Sequence, residues 1–245
     1  MIDATMSVDR RVSETNPTEP FIDILIVVAV SGLVFFLEDL AIARGWIPFG
    51  TEIRGAASVV AGALAAVGIV LARGGAFADL GFRRPERWAR VPFQVAGILG
   101  AFIAVQTLGP LLVSSFIAMP EPDLSRYDSI AGNLGAAIGM ALVLPLTASI
   151  PEEIIYRGFL IGRLSEIFGR DIRGASMTVL VQALTFGSVH FMWGTGGVIV
   201  TVIMGIVWGT AYLLCGRNLW IVILAHSTGH ILFVIQLYLG KSIII

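Results

Sequence analysis

The chain has 245 residues, of which 56% are hydrophobic and only 13% charged, and its mean hydropathy is +0.88. Soluble domains carry about 25% charged residues, so this composition excludes a water-soluble globule and indicates a membrane protein. The formal charge of −1 excludes the basic surface of a nucleic-acid-binding protein, and the single cysteine, Cys215, excludes an intrachain disulfide and a cysteine-based metal site.

The chain begins with a polar segment, residues 1–20, that lacks the pattern of a secretory signal peptide. We expect it to be a disordered cytoplasmic tail. The rest of the chain, 21–245, contains apolar runs near the length of about 20 residues that a membrane-spanning helix needs. These runs cover residues 21–43, 55–73, 92–118, 131–149 with a continuation to about 168, 174–191, 196–215 and 219–239.

These runs predict an all-α fold, a polytopic transmembrane bundle with about seven crossings. Pro145 and Pro151 interrupt the fourth run, and a helix that breaks near Pro151 raises the number of helical segments to eight. Of the 16 basic residues, twelve fall in segments that face the cytoplasm if the N-terminus is inside, and four (Arg44, Arg54, Arg126 and Lys241) fall in the outer segments. This asymmetry predicts a cytoplasmic N-terminus, and the Ala/Gly/Arg-rich composition indicates a bacterial inner membrane.

Ionisable side chains at membrane depth are costly and commonly functional. Asp23, Glu38 and Asp39 lie near span ends, where we expect them to reach the interface. Glu152, Glu153 and Arg157 follow the fourth run directly. Glu153 and Arg157 are spaced to pair on one helix face, whereas Glu152 points about 100° away. One interpretation is a buried ion pair that fixes helix register, and the other is a catalytic Glu152 near a restarted helix N-terminus.

The three histidines, His190, His226 and His230, all fall within the predicted late spans. Glu152 and His190 are each 17 residues from the hairpin between their helices, which predicts equal depth on adjacent antiparallel helices. A buried carboxylate beside a histidine can deprotonate a water, and further imidazoles can donate to the oxyanion formed at a peptide carbonyl. The chain lacks H-E-x-x-H, G-x-S-x-G and G-x-G-D motifs, so we assign the nucleophile to water.

Three motifs follow in order: Glu152-Glu153-x-x-x-Arg157, Phe186-x-x-x-His190 and His226-x-x-x-His230. Together they resemble the signature of the CAAX prenyl protease type 2 family, which includes bacteriocin-immunity relatives, and residues 79–85 resemble a loop of its bacterial members. The resemblance implies a CAAX-protease-like core over about 79–240. It also implies that Glu152 and His190 activate water, that His226 helps to form the oxyanion site, and that Glu153 and Arg157 support Glu152.

His230 departs from the family pattern, which has Asn or Asp at this position. It leaves a metal alternative open, because Glu152, His190, His226 and His230 offer one oxygen and three nitrogen ligands for zinc. We expect no cofactor, with zinc as the alternative. The expected function is an intramembrane endopeptidase acting on a membrane-associated protein or peptide within the lipid bilayer. Its alternatives are a non-catalytic scaffold or immunity protein that retains the fold, and a transporter with a Glu/His proton relay.

Overall fold

A computed structural model describes residues 18–46, 55–117 and 124–240. Over these residues the chain forms seven long helices and no strand, which confirms the all-α prediction. The helices are α1 (Thr18–Ala43), α2 (Ala56–Ala72), α3 (Val91–Ser114), α4 (Leu134–Phe168), α5 (Ile172–Ser188), α6 (Gly194–Leu214) and α7 (Leu219–Tyr238). Short 3₁₀ helices lie at Phe77–Leu80, Trp88–Arg90, Ser125–Ile130 and Phe191–Trp193. Helix α1 begins within the predicted tail, whose residues 1–17 lie outside the described part.

Five of the helices are long and apolar enough to cross a membrane. These are α1, α4 and α7, together with α3 and α6 when each is extended by its preceding 3₁₀ turn. The remaining two, α2 and α5, have 17 residues each, which is at the lower limit of about 17–25 residues for a span. The helical membrane bundle predicted from hydropathy is therefore present in the fold.

Helix α4 does not break at Pro151, so the predicted eighth segment and the helix N-terminus at Glu152 are absent from the fold. The 35-residue helix instead contains two π-helical stretches, Pro145–Ser149 and Glu153–Leu160. Proline has no amide hydrogen to donate to the preceding turn, and a wider turn accommodates this loss by shifting the hydrogen bonds. In the first stretch the Ile150 amide donates to the Pro145 carbonyl, five residues before it. Such π turns are frequent at functional sites.

Two apolar clusters meet on α4. One cluster draws on α3, α4, α6 and α7 and includes Ile161 and Trp208, and the other joins α1 and α2 to α4 through Phe159. Helices α5 and α6 pack closely beside them, because a Cβ on Gly205 would lie 2.8 Å from the Ala183 Cα atom. The segment that carries Glu152 and Glu153 is therefore held from several sides.

Polar contacts join the helices at the end that the arginine distribution predicts to be cytoplasmic. Asp23 of α1 is 2% exposed and accepts hydrogen bonds from Arg73, and it forms an ion pair with Arg163 of α4 at 3.0 Å. Asp23 is thus buried between two arginines, of which Arg73 is partly exposed. The connection between α2 and α3 is anchored as well, because the Leu219 amide donates to the Gly81 carbonyl at 2.8 Å.

Candidate active site

The core of the candidate site is a buried ion pair in the second π-helical stretch of α4. Arg157 Nη1 donates to Glu153 Oε1 at 3.0 Å, and both side chains are 0% exposed. The guanidinium carbon of Arg157 also lies 4.7 Å from the ring centroid of Phe186, on α5. The predicted pairing of Glu153 with Arg157 is confirmed, and it orients a carboxylate toward the neighbouring helix α7.

His226 of α7 lies between the two glutamates. Its Nδ1 is 2.8 Å from Glu153 Oε1, and its Nε2 is 3.9 Å from Glu152 Oε2. The ring stacks on Trp208 of α6, with centroids 5.4 Å apart and an interplanar angle of 26°. Because an ionised carboxylate only accepts hydrogen bonds, Nδ1 donates to Glu153, and the Nε2 of a neutral His226 is an acceptor directed toward Glu152.

Glu152 and Glu153 differ in exposure, as their positions on the helix predict. The Glu152 side chain is 16% exposed, whereas that of Glu153 is fully buried. A partly exposed carboxylate can contact a substrate or a water, while the buried one is engaged by Arg157 and His226. The geometry therefore assigns different surroundings to two adjacent residues of identical chemistry.

His230 follows His226 by one helical turn, and the ring centroids are 4.7 Å apart. Its Nδ1 is 2.7 Å from the hydroxyl oxygen of Ser149, which lies at the end of the first π-helical stretch of α4. The two α7 histidines thus contact the two π-helical stretches of α4, His230 the first and His226 the second.

His190 is placed differently from the other histidines. It was expected inside the fifth span, but it lies just beyond the end of α5, in the turn before Phe191–Trp193. Its Nδ1 is 2.7 Å from the Phe186 carbonyl oxygen, and its ring centroid is 4.6 Å from that of Trp193. Among the residues that the structure describes, no hydrogen bond or ion pair joins His190 to Glu152.

Phe186 connects His190 to the rest of the site. Its ring centroid is 4.9 Å from that of His190 and 4.9 Å from that of Tyr156, which it meets edge-on. It also packs against Arg157. The structure therefore brings Glu152, Glu153, Arg157, His226 and His230 together directly, and joins His190 to them through the Phe186 ring.

Two residues of this arrangement are not predicted from the sequence. Ser149 precedes Glu152 by three residues and is fully buried, and Trp208 covers one face of His226. In the sequence, Ser149 is a small residue in an apolar run and Trp208 is one of five tryptophans. Neither has a local signal, because their partners lie on another helix.

The residues of the zinc alternative differ in their surroundings, because His190 lies in the turn after α5 and the other three lie on α4 and α7. Within the described ranges, no group of three or more His, Cys, Asp and Glu side chains is arranged to hold a metal ion. The four residues of the zinc alternative, Glu152, His190, His226 and His230, do not form such a group among the described residues. Chelation provides an independent test of the zinc alternative.

Part of the chain matches a known protein family. Residues 134–232 match the protein-family model described as "Type II CAAX prenyl endopeptidase Rce1-like". The match runs from the start of α4 into α7 and so includes all the predicted site residues. No curated protein and no solved structure matches the chain.

Proposed function

We propose that this protein is an intramembrane endopeptidase, because residues 134–232 match the family model of Rce1-like type II CAAX prenyl endopeptidases. Its substrate is a membrane-associated protein or peptide, and its nucleophile is a water activated by Glu152. The observation that carries this proposal is the position of Glu152, whose partly exposed carboxylate faces the Nε2 of His226 at 3.9 Å. A water oxygen beside these two atoms can contact both the Glu152 carboxylate and His226 Nε2.

The fully buried groups support Glu152 through His226. Glu153 accepts from both Arg157 and His226 on the same oxygen atom. These two hydrogen bonds fix the orientation of the His226 ring and direct its Nε2 toward Glu152. A ligand imidazole held by a carboxylate in this way is more basic than a free one, so His226 Nε2 is suited to accept a hydrogen bond from the attacking water.

His190 is a second acceptor. A carbonyl oxygen cannot donate a hydrogen bond, so the contact with the Phe186 carbonyl places the proton of a neutral His190 on Nδ1 and leaves Nε2 free to accept. We assign His190 to orienting the same water from the α5 side, as the family resemblance implies. The proposal requires the substrate-bound site to bring His190 Nε2 and Glu152 to one water.

The proposed reaction transfers one proton at each step. Glu152 removes a proton from water as the water oxygen forms a bond to the scissile carbonyl carbon, and the carbonyl electron pair moves onto its oxygen. When the tetrahedral intermediate collapses, the C–N bond breaks and the protonated Glu152 delivers the proton to the leaving amine. The products are a carboxylic acid, which keeps the second proton of the water, and an amine; transfer of that proton to the amine gives a carboxylate and an ammonium group.

The test is cleavage of a library of membrane-anchored peptides by the purified protein in detergent. We expect Glu152→Gln to lower kcat/KM by at least ~100-fold, since general-base catalysis contributes about 10²–10⁴-fold, and His190→Ala to lower it by a similar factor. Glu166→Gln is the matched control, because Glu166 lies on the same helix with its side chain 45% exposed. Equal activity of Glu152→Gln and Glu166→Gln would contradict the assignment of Glu152 as the general base.

Two further arms of this experiment separate the alternatives. Loss of cleavage with a chelator and its recovery with zinc would support the metal alternative rather than the metal-free reaction. A wild-type protein that cleaves no member of a broad library would favour the non-catalytic scaffold or immunity protein, for which the departure at His230 is the motivating observation.

A further inference from the structure

The contact between Ser149 and His230 is not part of the motifs that define the site. The Ser149 hydroxyl oxygen lies 2.7 Å from His230 Nδ1, and the residue is 0% exposed. The two residues are 81 positions apart in the chain. In such a contact one group donates and the other accepts, so its direction determines which ring nitrogen of a neutral His230 carries the proton.

The direction of this hydrogen bond follows from the local helix geometry. Hydroxyls in these helices usually donate to the carbonyl one turn earlier, as Thr147 donates to Val143 O at 2.9 Å. For Ser149 the equivalent carbonyl is that of Pro145, which accepts from the Ile150 amide in the π turn. Over the described part of the chain, His230 is the hydrogen-bond partner of the Ser149 hydroxyl. A buried hydroxyl donates its proton to an available acceptor, so Ser149 donates to Nδ1.

This direction gives His230 a different tautomer from the other two histidines. With Nδ1 accepting from Ser149, a neutral His230 carries its proton on Nε2. His190 and His226 have their Nδ1 atoms on oxygen acceptors, the Phe186 carbonyl and the Glu153 carboxylate. Their protons are therefore on Nδ1. The site contains two imidazoles with a free Nε2 acceptor and one with an Nε2–H donor.

We propose that Ser149 is a positioning residue that holds His230 as the Nε2–H tautomer, so that His230 donates a hydrogen bond to the oxyanion of the tetrahedral intermediate. This inference rests on the proposed function. It assigns the donor role to His230 rather than to a neutral His226, whose proton is engaged by Glu153. It also accounts for the departure at His230, because an Nε2–H provides the type of donor that an asparagine side-chain amide provides.

The first experiment measures the tautomers directly, without activity. The chain has three histidines, so the protein labelled with ¹⁵N in its histidine rings gives a simple spectrum in detergent. Couplings between ring nitrogens and carbon-bound protons show which nitrogen is protonated. We expect one Nε2–H tautomer, assigned by its loss in His230→Asn, and two Nδ1–H tautomers.

Substitution of Ser149 tests its part in this arrangement. In Ser149→Ala we expect the His230 signals to change to the Nδ1–H form or to a mixture, while the His190 and His226 signals stay in place and report an intact fold. The matched control is Thr147→Val, which removes a hydroxyl from the same π turn without touching a histidine. A His230 that is Nδ1–H in the wild type, or unchanged in Ser149→Ala, overturns the proposal.

The second experiment measures catalysis in two backgrounds. We expect Ser149→Ala to lower kcat by about 10–100-fold, the usual effect of removing a group that orients a site imidazole, with little change in KM. In the His230→Asn background, where no imidazole needs orienting, we expect Ser149→Ala to have less than a ~3-fold effect. An equal loss in both backgrounds would indicate a merely structural serine and overturn the proposal.

The two experiments distinguish failure of this inference from failure of the proposed function. A wild-type protein that cleaves no peptide overturns the proposed function together with the oxyanion role of His230. In that case the spectrum still decides whether Ser149 sets the His230 tautomer.

Discussion

At the scale of single residues, Glu152 and Glu153 are chain neighbours with opposite surroundings. Glu153 is fully buried and accepts hydrogen bonds from Arg157 and His226. Glu152 is partly exposed, and its carboxylate lies 3.9 Å from His226 Nε2. Burying an ion pair is costly, and removing one partner leaves the other charge uncompensated. The stability of the site therefore depends on Glu153, and its proposed chemistry depends on Glu152.

We expect Glu153→Gln to lower the free energy of unfolding by about 3 kcal/mol, because it leaves Arg157 buried without its counter-charge. The measurement is denaturation of the detergent-solubilised protein. Glu166→Gln is again the control, since its pairing with Arg163 is at the surface and exposed pairs contribute only about 0–1 kcal/mol. Similar stability of the two variants would contradict the structural role of Glu153.

At the scale of helices, α4 and the α5–α6 pair determine where the site groups meet. The π-helical stretches of α4 accommodate Pro145 and place Ser149 and Glu153 against α7. Close packing of α5 on α6 positions the end of α5, from which His190 follows. This packing requires a residue without a side chain at Gly205, where the helix backbone of α5 lies too close for a Cβ atom.

We expect Gly205→Ala to destabilise the protein by about 1–3 kcal/mol through overpacking, because the added Cβ would lie 2.8 Å from Ala183 Cα. Gly139→Ala is the matched control in α4, where an added Cβ meets nothing within 4 Å. In a helix interior, alanine is favoured over glycine by about 0.5–1 kcal/mol. The two substitutions should therefore shift the unfolding transition in opposite directions, and a shift of the same sign would contradict this packing.

At the scale of the whole molecule, the arginine distribution predicts which end faces the cytoplasm. Arg73 and Arg163 converge on Asp23 at that end, and the connection between α2 and α3 adds Arg83, Arg84, Arg87 and Arg90. The turn after α1, which includes Trp46, lies at the opposite side of the predicted bilayer. Cys215 is the single native cysteine, so its replacement by serine gives a background in which an introduced cysteine is the one thiol that a reagent can label.

We expect a membrane-impermeant thiol reagent to label Trp46→Cys in intact cells and to label Arg84→Cys only after the membrane is opened. Both variants are made in a Cys215→Ser background to remove the native thiol. Trp46 is 67% exposed and Arg84 is exposed too, so access to the reagent depends on the side of the membrane. Labelling of Arg84→Cys alone in intact cells would reverse the predicted orientation.

Much of the fold was predictable because its signals are local. A helix in a bilayer must satisfy its backbone hydrogen bonds internally and bury its apolar side chains in lipid, so hydropathy predicts the seven long helices of the described residues to within a few residues of their observed ends. The Glu153–Arg157 pair was predictable for the same reason, since four residues along a helix return to one face.

The tertiary structure decided which groups meet across helices. The contacts of His226 with Glu153 and of His230 with Ser149 join residues 73 and 81 positions apart. They depend on the width of the turns in α4, where the prolines in the sequence predict a break at Pro151, and on the turn that places His190 beyond α5. Hydropathy and residue spacing determined the helices and the candidate residues because both act within one helix. Hydrogen-bond partners and tautomers required the packing of several helices, because a shift of one residue along a helix turns a side chain by about 100° and directs it to a different neighbour.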